Sequence, residues 1–134
     1  MTPDNGPAAS LTETLATFAA TLQPAAIPPE VMARARLCLL DFAGATLAGA
    51  REPAMQALAG IVSATGGAGE AGAWGLGMRA PAAMAALANG SVGHHLELDD
   101  GHILGHVHPG ATVIPAAFAL AEARRASGAE LLAA

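Results

Sequence analysis

The sequence has few aromatic residues, few charges and a single cysteine. Its 134 residues include no tyrosine, one tryptophan and three phenylalanines, and only 13% of them are charged. The one cysteine, Cys38, excludes an internal disulfide, and it cannot by itself hold an iron–sulfur cluster or a cysteine-rich zinc ion. Because Cys38 lies in an apolar helical run, we expect it to be a small core residue.

The chain also lacks a basic stripe, a signal peptide and an uninterrupted apolar span. Its formal net charge is −5, which does not favour nucleic acid as a partner. Met1–Ser10 is polar and contains proline, unlike a secretory signal. The longest apolar stretch, Val31–Ala50, carries Arg34, Arg36 and Asp41, which argues against a membrane span. We therefore expect a cytoplasmic protein with neither a membrane nor a nucleic-acid partner.

Alanine and glycine dominate what remains, and the apolar residues recur at helical spacing. We predict an all-α fold of five to six alanine-rich helices over residues 10–134, preceded by a flexible leader over residues 1–9. The stretch "EAGAWGLG", residues 70–77, is too rich in glycine for a helix, so we expect a short extended connection with Trp74 as a packing anchor. The predicted helices cover 10–23, 30–47, 53–64, 81 into the histidine-rich segment, and 112–127, with a sixth beginning at 127.

Several details of these helices can be predicted from local signals. "SLTE" and "SGAE", beginning at Ser10 and Ser127, are capping-box patterns that start helices. The helix over 30–47 is apolar on most sides and is expected to be buried. Thr112 is the expected N-cap of the fifth helix. Because the sixth helix has room for little more than one turn, we expect the sequence to be the N-terminal part of a longer protein.

One segment, "HHLELDDGHILGHVHPG" (residues 94–110), holds all five histidines and three acidic residues. If the fourth helix continues through Asp99, His94 shares a face with Glu97, and His95 shares a face with Asp99. Gly101 then ends the helix. The acidic residues at the helix end and the histidines of the following loop are expected to converge on a small cavity.

Residue chemistry alone leaves three interpretations of this segment open. It is a solvated polar loop, a metal site, or an acid–base site for a small anionic substrate. A metal would use His102, His106 and His108, since imidazole and carboxylate suit zinc, iron or manganese. Histidine titrates near neutrality and is oriented by neighbouring carboxylates, which favours acid–base chemistry.

The ordered strings "ANGSVGHHLELDDGH" (88–102) and "HPGATVIPAAFALAE" (108–122) resemble the MmgE/PrpD family. That family includes 2-methylcitrate dehydratase, cis-aconitate decarboxylase and iminodisuccinate epimerase. "LLDFAGATLAGA" (39–50) and "ATGGAGEAGAWG" (64–75) look like further stretches of the family, so the resemblance covers nearly the whole chain after Ser10. The matching positions are Asn89-Gly90, His94, Asp99-Asp100, His108-Pro109, Pro115 and Ala121-Glu122.

The resemblance implies the N-terminal portion of a large helical domain, with the family's smaller α/β lid domain absent from this chain. It also implies a homodimer and a reaction in which a proton moves to or from carbon next to a carboxylate. No metal or organic cofactor is implied, and the expected ligand is a small di- or tricarboxylate. Such a site must stabilise developing negative charge while a base takes the proton.

Residue roles follow from the same resemblance. His108 is expected to be the acid/base or a carboxylate ligand, and Glu97 is a candidate base in place of the family's first aspartate. Asp99 and Asp100 complete the predicted catalytic set, where they orient histidines or cap helix ends. Gly101 stands where the family has a hydroxyl residue. The predicted substrate-binding residues are His94, His102 and Asn89, although His94 also fits a buried structural histidine and Asn89 a bond to local backbone.

The main hypothesis is thus a fragment or truncated relative of a cofactor-independent lyase or isomerase that acts on a small di- or tricarboxylic acid. Two alternatives stay open. The first is a non-catalytic helical dimerisation module of the same family, favoured by the departures at Glu97 and Gly101. The second is a metal-binding protein that uses its histidines.

Overall fold

The computed structural model describes residues 10–134, and the leader predicted over residues 1–9 lies outside them. The prediction of a mostly helical fold is confirmed, with one small β-hairpin added. In chain order the elements are α1 (Leu11–Thr21), a 3-10 turn (Pro24–Ala26), α2 (Pro29–Gly49), α3 (Pro53–Thr65), β1 (Ala71–Ala73), β2 (Met78–Ala80), α4 (Ala82–His94), a second 3-10 turn (Ile103–Gly105), α5 (Pro109–Arg124) and α6 (Gly128–Ala133).

Both predicted capping boxes are present. At the start of α1 the Ser10 hydroxyl accepts from the Glu13 amide at 3.2 Å, and the Glu13 carboxylate accepts from the Ser10 amide at 2.8 Å. Hydrogen bonds from the Ser10 backbone and then its side chain hold the pKa of Glu13 below its ordinary value. Ser127 and Glu130 repeat the arrangement at α6. These local signals start helices because they satisfy amides that have no partner within the helix.

Helix α2 is buried over its C-terminal half alone, which corrects the prediction of a buried helix. Its buried residues are Phe42, Ala45, Thr46 and Gly49. Towards the N-terminus Leu37 and Leu40 are exposed, and so is Cys38. The prediction that Cys38 is a core residue is therefore wrong. The cause is tertiary: the buried half is the part that packs against α4, and an apolar sequence does not reveal where that packing stops.

The glycine-rich connection forms an antiparallel hairpin in which Ala71 pairs with Ala80 and Ala73 with Met78. Gly75 and Gly77, in the turn, have φ of 70° and 67°, values that favour glycine. Trp74 is the predicted packing anchor, since its ring lies 4.5 Å from that of Phe118 and 6.2 Å from that of Phe42, between centroids. The hairpin therefore ties α2 to α5 through aromatic contacts.

The core lies where α3, α4, α5 and the hairpin meet, and its side chains are small. Because alanine dominates, close approach of the helices replaces large side chains as the source of packing. At Gly93 an added Cβ would meet the Phe42 ring and the Thr46 hydroxyl, so α2 and α4 are in direct contact there. The buried cluster comprises Val62, Ala71, Ala73, Ala80, Ala85, Ala88 and Ala119.

Two predicted helix boundaries near the histidine-rich segment are wrong. Helix α4 ends at His94 rather than continuing through Asp99, because the chain turns and Glu97 takes a left-handed conformation at φ 54°. Helix α5 begins at Pro109, with His108 rather than Thr112 as its N-cap. Within residues 10–134 no helix is both long and apolar enough to cross a membrane.

Candidate functional site

The C-terminal end of α4 packs closely against the N-terminal end of α5, because the residue of α4 at the contact is a glycine, Gly90. An added Cβ at Gly90 would lie 2.8 Å from the carbonyl oxygen of Ala111, so any other residue would push the helices apart. The predicted role of Gly90 in close packing is confirmed. This contact brings His94, the last residue of α4, close to His108, which immediately precedes α5, with ring centroids 4.6 Å apart.

Helix α5 contains a proline close to this contact. Pro115 lies inside the helix. Proline has no amide to donate, so the carbonyl of Ala111, four residues earlier, loses its helical partner. That carbonyl is the group that faces Gly90. Pro115 and Gly90 therefore act at the same place, where the two helices cross closely and the Ala111 carbonyl has no helical hydrogen-bond partner.

A buried aspartate joins the two histidines. The Asp99 side chain is 1% exposed, and one of its oxygens, Oδ2, lies 3.1 Å from His94 Nδ1 and 3.4 Å from His108 Nδ1. An ionised carboxylate only accepts hydrogen bonds, so the His94 bond requires the proton on Nδ1. The Nε2 atom of a neutral His94 is then a free acceptor. An ionised Asp99 therefore favours one tautomer and orientation of the His94 ring.

His108 is held less completely. Its side chain is 36% exposed, but its Nδ1 atom is buried and forms no hydrogen bond within the described residues. The 3.4 Å separation from Asp99 is within ion-pair distance, yet the angles do not make a hydrogen bond. A buried polar atom without a partner costs about 1–3 kcal/mol. We regard this atom as the clearest sign that the cluster is more than structural.

Glu97 approaches the same histidine from the other side. Its Oε1 lies 3.4 Å from His94 Nε2, and its side chain is 69% exposed. A left-handed backbone is uncommon for a residue other than glycine, and such conformations cluster at functional sites. His94 thus has a carboxylate near each ring nitrogen.

Asp100 has a different position from Asp99. Its Oδ1 accepts from the Gly110 amide at 2.8 Å, which satisfies a free amide in the first turn of α5. This is the helix-capping role predicted as one option for the acid pair. At the neighbouring Gly101 an added Cβ would meet nothing within 4 Å, so the structure there has space for a larger side chain.

An open cavity of about 370 Å³ lies between α4 and α5 and is lined by His94 and His108. Volumes of about 300–1,000 Å³ are usual for small-molecule sites. Ser91 and Thr112 also line it, and the sequence did not suggest either as a site residue. A signal existed for Ser91, because it lies three residues before His94 and shares its helix face. His106 lines the cavity as well, in a left-handed conformation at φ 48°.

Of the predicted site residues, His94 and His108 are the two that line this cavity. His102 is exposed, and its Nδ1 accepts from the Gly105 amide at 2.9 Å, which stabilises the second 3-10 turn. Asn89 is 1% exposed. Its Oδ1 accepts from the Trp74 amide at 2.6 Å and its Nδ2 donates to the Gly72 carbonyl at 2.9 Å. Asn89 therefore bonds backbone groups, as expected, but these belong to the hairpin rather than to the local chain.

Comparison with known proteins identifies the family. A family model described as the MmgE/PrpD N-terminal domain matches residues 13–134. The chain belongs to the MmgE/PrpD family. It is 32% identical over 119 residues to a "cis-aconitate decarboxylase-like protein oryM" from Aspergillus oryzae, which covers 89% of this chain. The chain spans 25% of that protein's length. No solved structure matches.

Proposed function

We propose that this chain forms one wall of the active site of a cofactor-independent lyase or isomerase that acts on a small di- or tricarboxylic acid. The observation that carries the proposal is the buried Asp99 carboxylate placed between two imidazoles at the edge of a cavity of about 370 Å³. Membership of the MmgE/PrpD family and the name of the fungal relative support this class of reaction.

The proton-transfer group in this proposal is His108, with His94 and Asp99 supporting it. A carboxylate beside Nδ1 leaves Nε2 of an imidazole able to take a proton and stabilises the imidazolium that results. The proton that must move is on carbon next to a substrate carboxylate, and such carbon acids are weak. The protonated ring then balances the charge that develops on the substrate.

Substrate binding needs groups that recognise carboxylates. The Ser91 hydroxyl can donate to a carboxylate oxygen, and an imidazolium in the same cavity supplies positive charge. Glu97 orients the His94 ring in this proposal, because its Oε1 lies 3.4 Å from Nε2. Dehydration and epimerisation remove a proton from such a carbon, whereas decarboxylation delivers a proton to the carbon that loses CO₂. The residues here therefore support the class rather than one member.

The experiment compares two histidines of the same segment, His108 and His95. The gene product that carries this chain is purified and assayed with 2-methylcitrate, cis-aconitate and iminodisuccinate. We expect His108→Ala to lower kcat/KM for the active substrate by about 10²–10⁴-fold, the usual contribution of a positioned acid or base. The control is His95→Ala, because His95 is exposed and one residue from His94. Equal turnover in the His108 variant and the control would exclude His108 from the mechanism.

A homodimer and a cytoplasmic location belong to the same proposal. Helix α1 exposes Leu11, Leu15 and Phe18, an apolar stripe that supports association with another copy. The alternative hypothesis, a non-catalytic helical dimerisation module, also predicts such a dimer. Light scattering of the purified chain, combined with calorimetric titration of citrate, separates the two: a dimer without carboxylate binding favours the module.

A further inference from the structure

We propose that His94, Asp99 and His108 form a binding site for a divalent first-row transition metal, with zinc as the best fit. The donor atoms are His94 Nδ1, His108 Nδ1 and a carboxylate oxygen of Asp99, all within 4.8 Å of one another. This site goes beyond the proposed function, which uses no metal. It also differs from the metal set suggested by the sequence, since His102 and His106 are not part of it.

The spacing of the donor atoms fits a small metal ion. Zinc–nitrogen and zinc–oxygen bonds of roughly 2.0–2.1 Å place neighbouring ligands of a tetrahedron about 3.3–3.4 Å apart. Asp99 Oδ2 lies 3.1 Å from one Nδ1 and 3.4 Å from the other. One of these two edges of the ligand triangle therefore already has the required length, and the 3.1 Å edge is slightly shorter. Calcium and magnesium fit poorly because they prefer oxygen ligands throughout.

The unpartnered nitrogen supplies an independent argument. His108 Nδ1 is buried, faces the Asp99 carboxylate and forms no hydrogen bond within residues 10–134. Buried polar atoms are nearly always bonded, so such an atom calls for an explanation. A bound metal ion satisfies it, since the lone pair of Nδ1 then becomes a ligand.

Glu97 supplies a third argument. Histidines that bind metals nearly always donate the proton of their other ring nitrogen to a carboxylate, a carbonyl or water. In His94 the nitrogen opposite the proposed metal is Nε2, and Glu97 Oε1 lies 3.4 Å from it. When a metal binds Nδ1 of a neutral His94, the ring proton moves to Nε2. Glu97 then accepts a hydrogen bond from Nε2. The metal-bound and proton-transfer forms thus use opposite tautomers and exclude each other.

The test uses the full chain, freed of metal with a chelator and titrated with Co²⁺, whose visible absorption reports nitrogen and oxygen coordination. Zn²⁺ then displaces the cobalt, which gives its relative affinity. We expect one equivalent of metal per chain. Asp99→Asn and His108→Ala should each weaken Kd by more than about 10-fold, and Glu97→Gln by about 10-fold, as for other carboxylates that hold a metal-binding histidine.

His95→Ala is the control and should bind as the parent does, while circular dichroism checks that each variant folds. Because Glu97 is exposed, its variant keeps the test valid if the Asp99 variant unfolds. Absence of cobalt absorption in the parent chain would overturn the proposal. So would binding that survives Asp99→Asn but disappears when His102 and His106 are both replaced.

The outcome is independent of the proposed function. A protein that turns over substrate without metal, loses activity in His108→Ala and binds no Co²⁺ removes only the metal site. The opposite outcome is also distinct. If Co²⁺ binds through these residues but His108→Ala leaves the metal-free turnover unchanged, the metal site stands and only the catalytic role of His108 is excluded.

Discussion

Asn89 and His94 lie on the same helix, little more than one turn apart, and both meet a neighbouring part of the chain. The Asn89 side chain is buried, and both ends of its amide are bonded to the hairpin backbone at 2.6 and 2.9 Å. At His94 the side chain is 43% exposed, and the Asp99 carboxylate it contacts also faces a nitrogen without a hydrogen bond. The hydrogen bonds of Asn89 are satisfied within the described chain, whereas the cluster at His94 retains a buried nitrogen, His108 Nδ1, that has no hydrogen bond there.

The difference indicates which polar residues maintain the fold. A satisfied buried amide stabilises one arrangement of helix and hairpin, and its loss leaves backbone groups unpaired. Partly exposed rings with a free nitrogen beside a buried carboxylate stabilise the fold little and remain able to bind protons, anions or metals. Family resemblance alone grouped Asn89 with His94 as substrate-binding residues, but their environments are not equivalent.

The largest effect is expected at Asn89. Asn89→Ala leaves the Gly72 carbonyl and the Trp74 amide without their partner, so the free energy of unfolding should fall by about 2–4 kcal/mol. Urea denaturation followed by circular dichroism measures it. The control is Ser63→Ala on the exposed face of α3, with an expected change within about 0.5 kcal/mol. A loss below 1 kcal/mol at Asn89 would mean that its buried amide contributes little to the fold.

The second-largest effect is expected at Gly93, where α4 packs against α2. An alanine Cβ at Gly93 would press on the Phe42 ring and lie 2.8 Å from Thr46 Oγ1. We expect Gly93→Ala to destabilise the chain by about 1–3 kcal/mol. Gly60→Ala is the matched control, because it is inside α3 with nothing within 4 Å of an added Cβ, and it should stabilise by about 0.5–1 kcal/mol. Equal signs in the two thermal melts would show that α2 and α4 are not in direct contact.

A smaller effect is expected at Asp100, whose carboxylate caps α5 from ten residues away. Asp100→Ala should lower the free energy of unfolding by about 1 kcal/mol, as for other lost caps. Asp100→Asn keeps an acceptor oxygen and should lose less. If the asparagine variant is as unstable as the alanine variant, charge rather than the hydrogen bond is responsible for the stabilisation.

The smallest effect is a pH dependence far from the site, at the α1 capping box. The pKa of Glu13 is below its ordinary value of 4.5 in the folded chain. The stabilisation is therefore fully present above 4.5 and is lost as pH falls through the lowered pKa. The shift of the Ser10 amide in NMR spectra follows this titration, and Glu13→Gln should abolish it. A midpoint at or above 4.5 would mean that the capping box is absent.

Part of the candidate site could be predicted from the sequence. The dense segment and its family resemblance selected Glu97, Asp99, Asp100 and His108, which the structure places at the facing ends of α4 and α5. Local geometry was harder to predict, because His108 rather than Thr112 has the N-cap position of α5 and Asp100 accepts the hydrogen bond from its first turn. The position of Ser91 in the cavity depends on the crossing of α4 and α5, which the sequence does not reveal.

By itself, the sequence determined the helical class, both capping boxes and the position of the glycine-rich hairpin. These depend on interactions between residues three or four apart, or on backbone angles that glycine tolerates. Only the tertiary structure decided that His94 and His108 share Asp99, that Asn89 belongs to the hairpin, and that half of α2 stays exposed. Those facts depend on which elements pack together and how closely. Gly90 against the Ala111 carbonyl brings the two histidines together, and Gly93 against Phe42 sets the packing of α4 on α2.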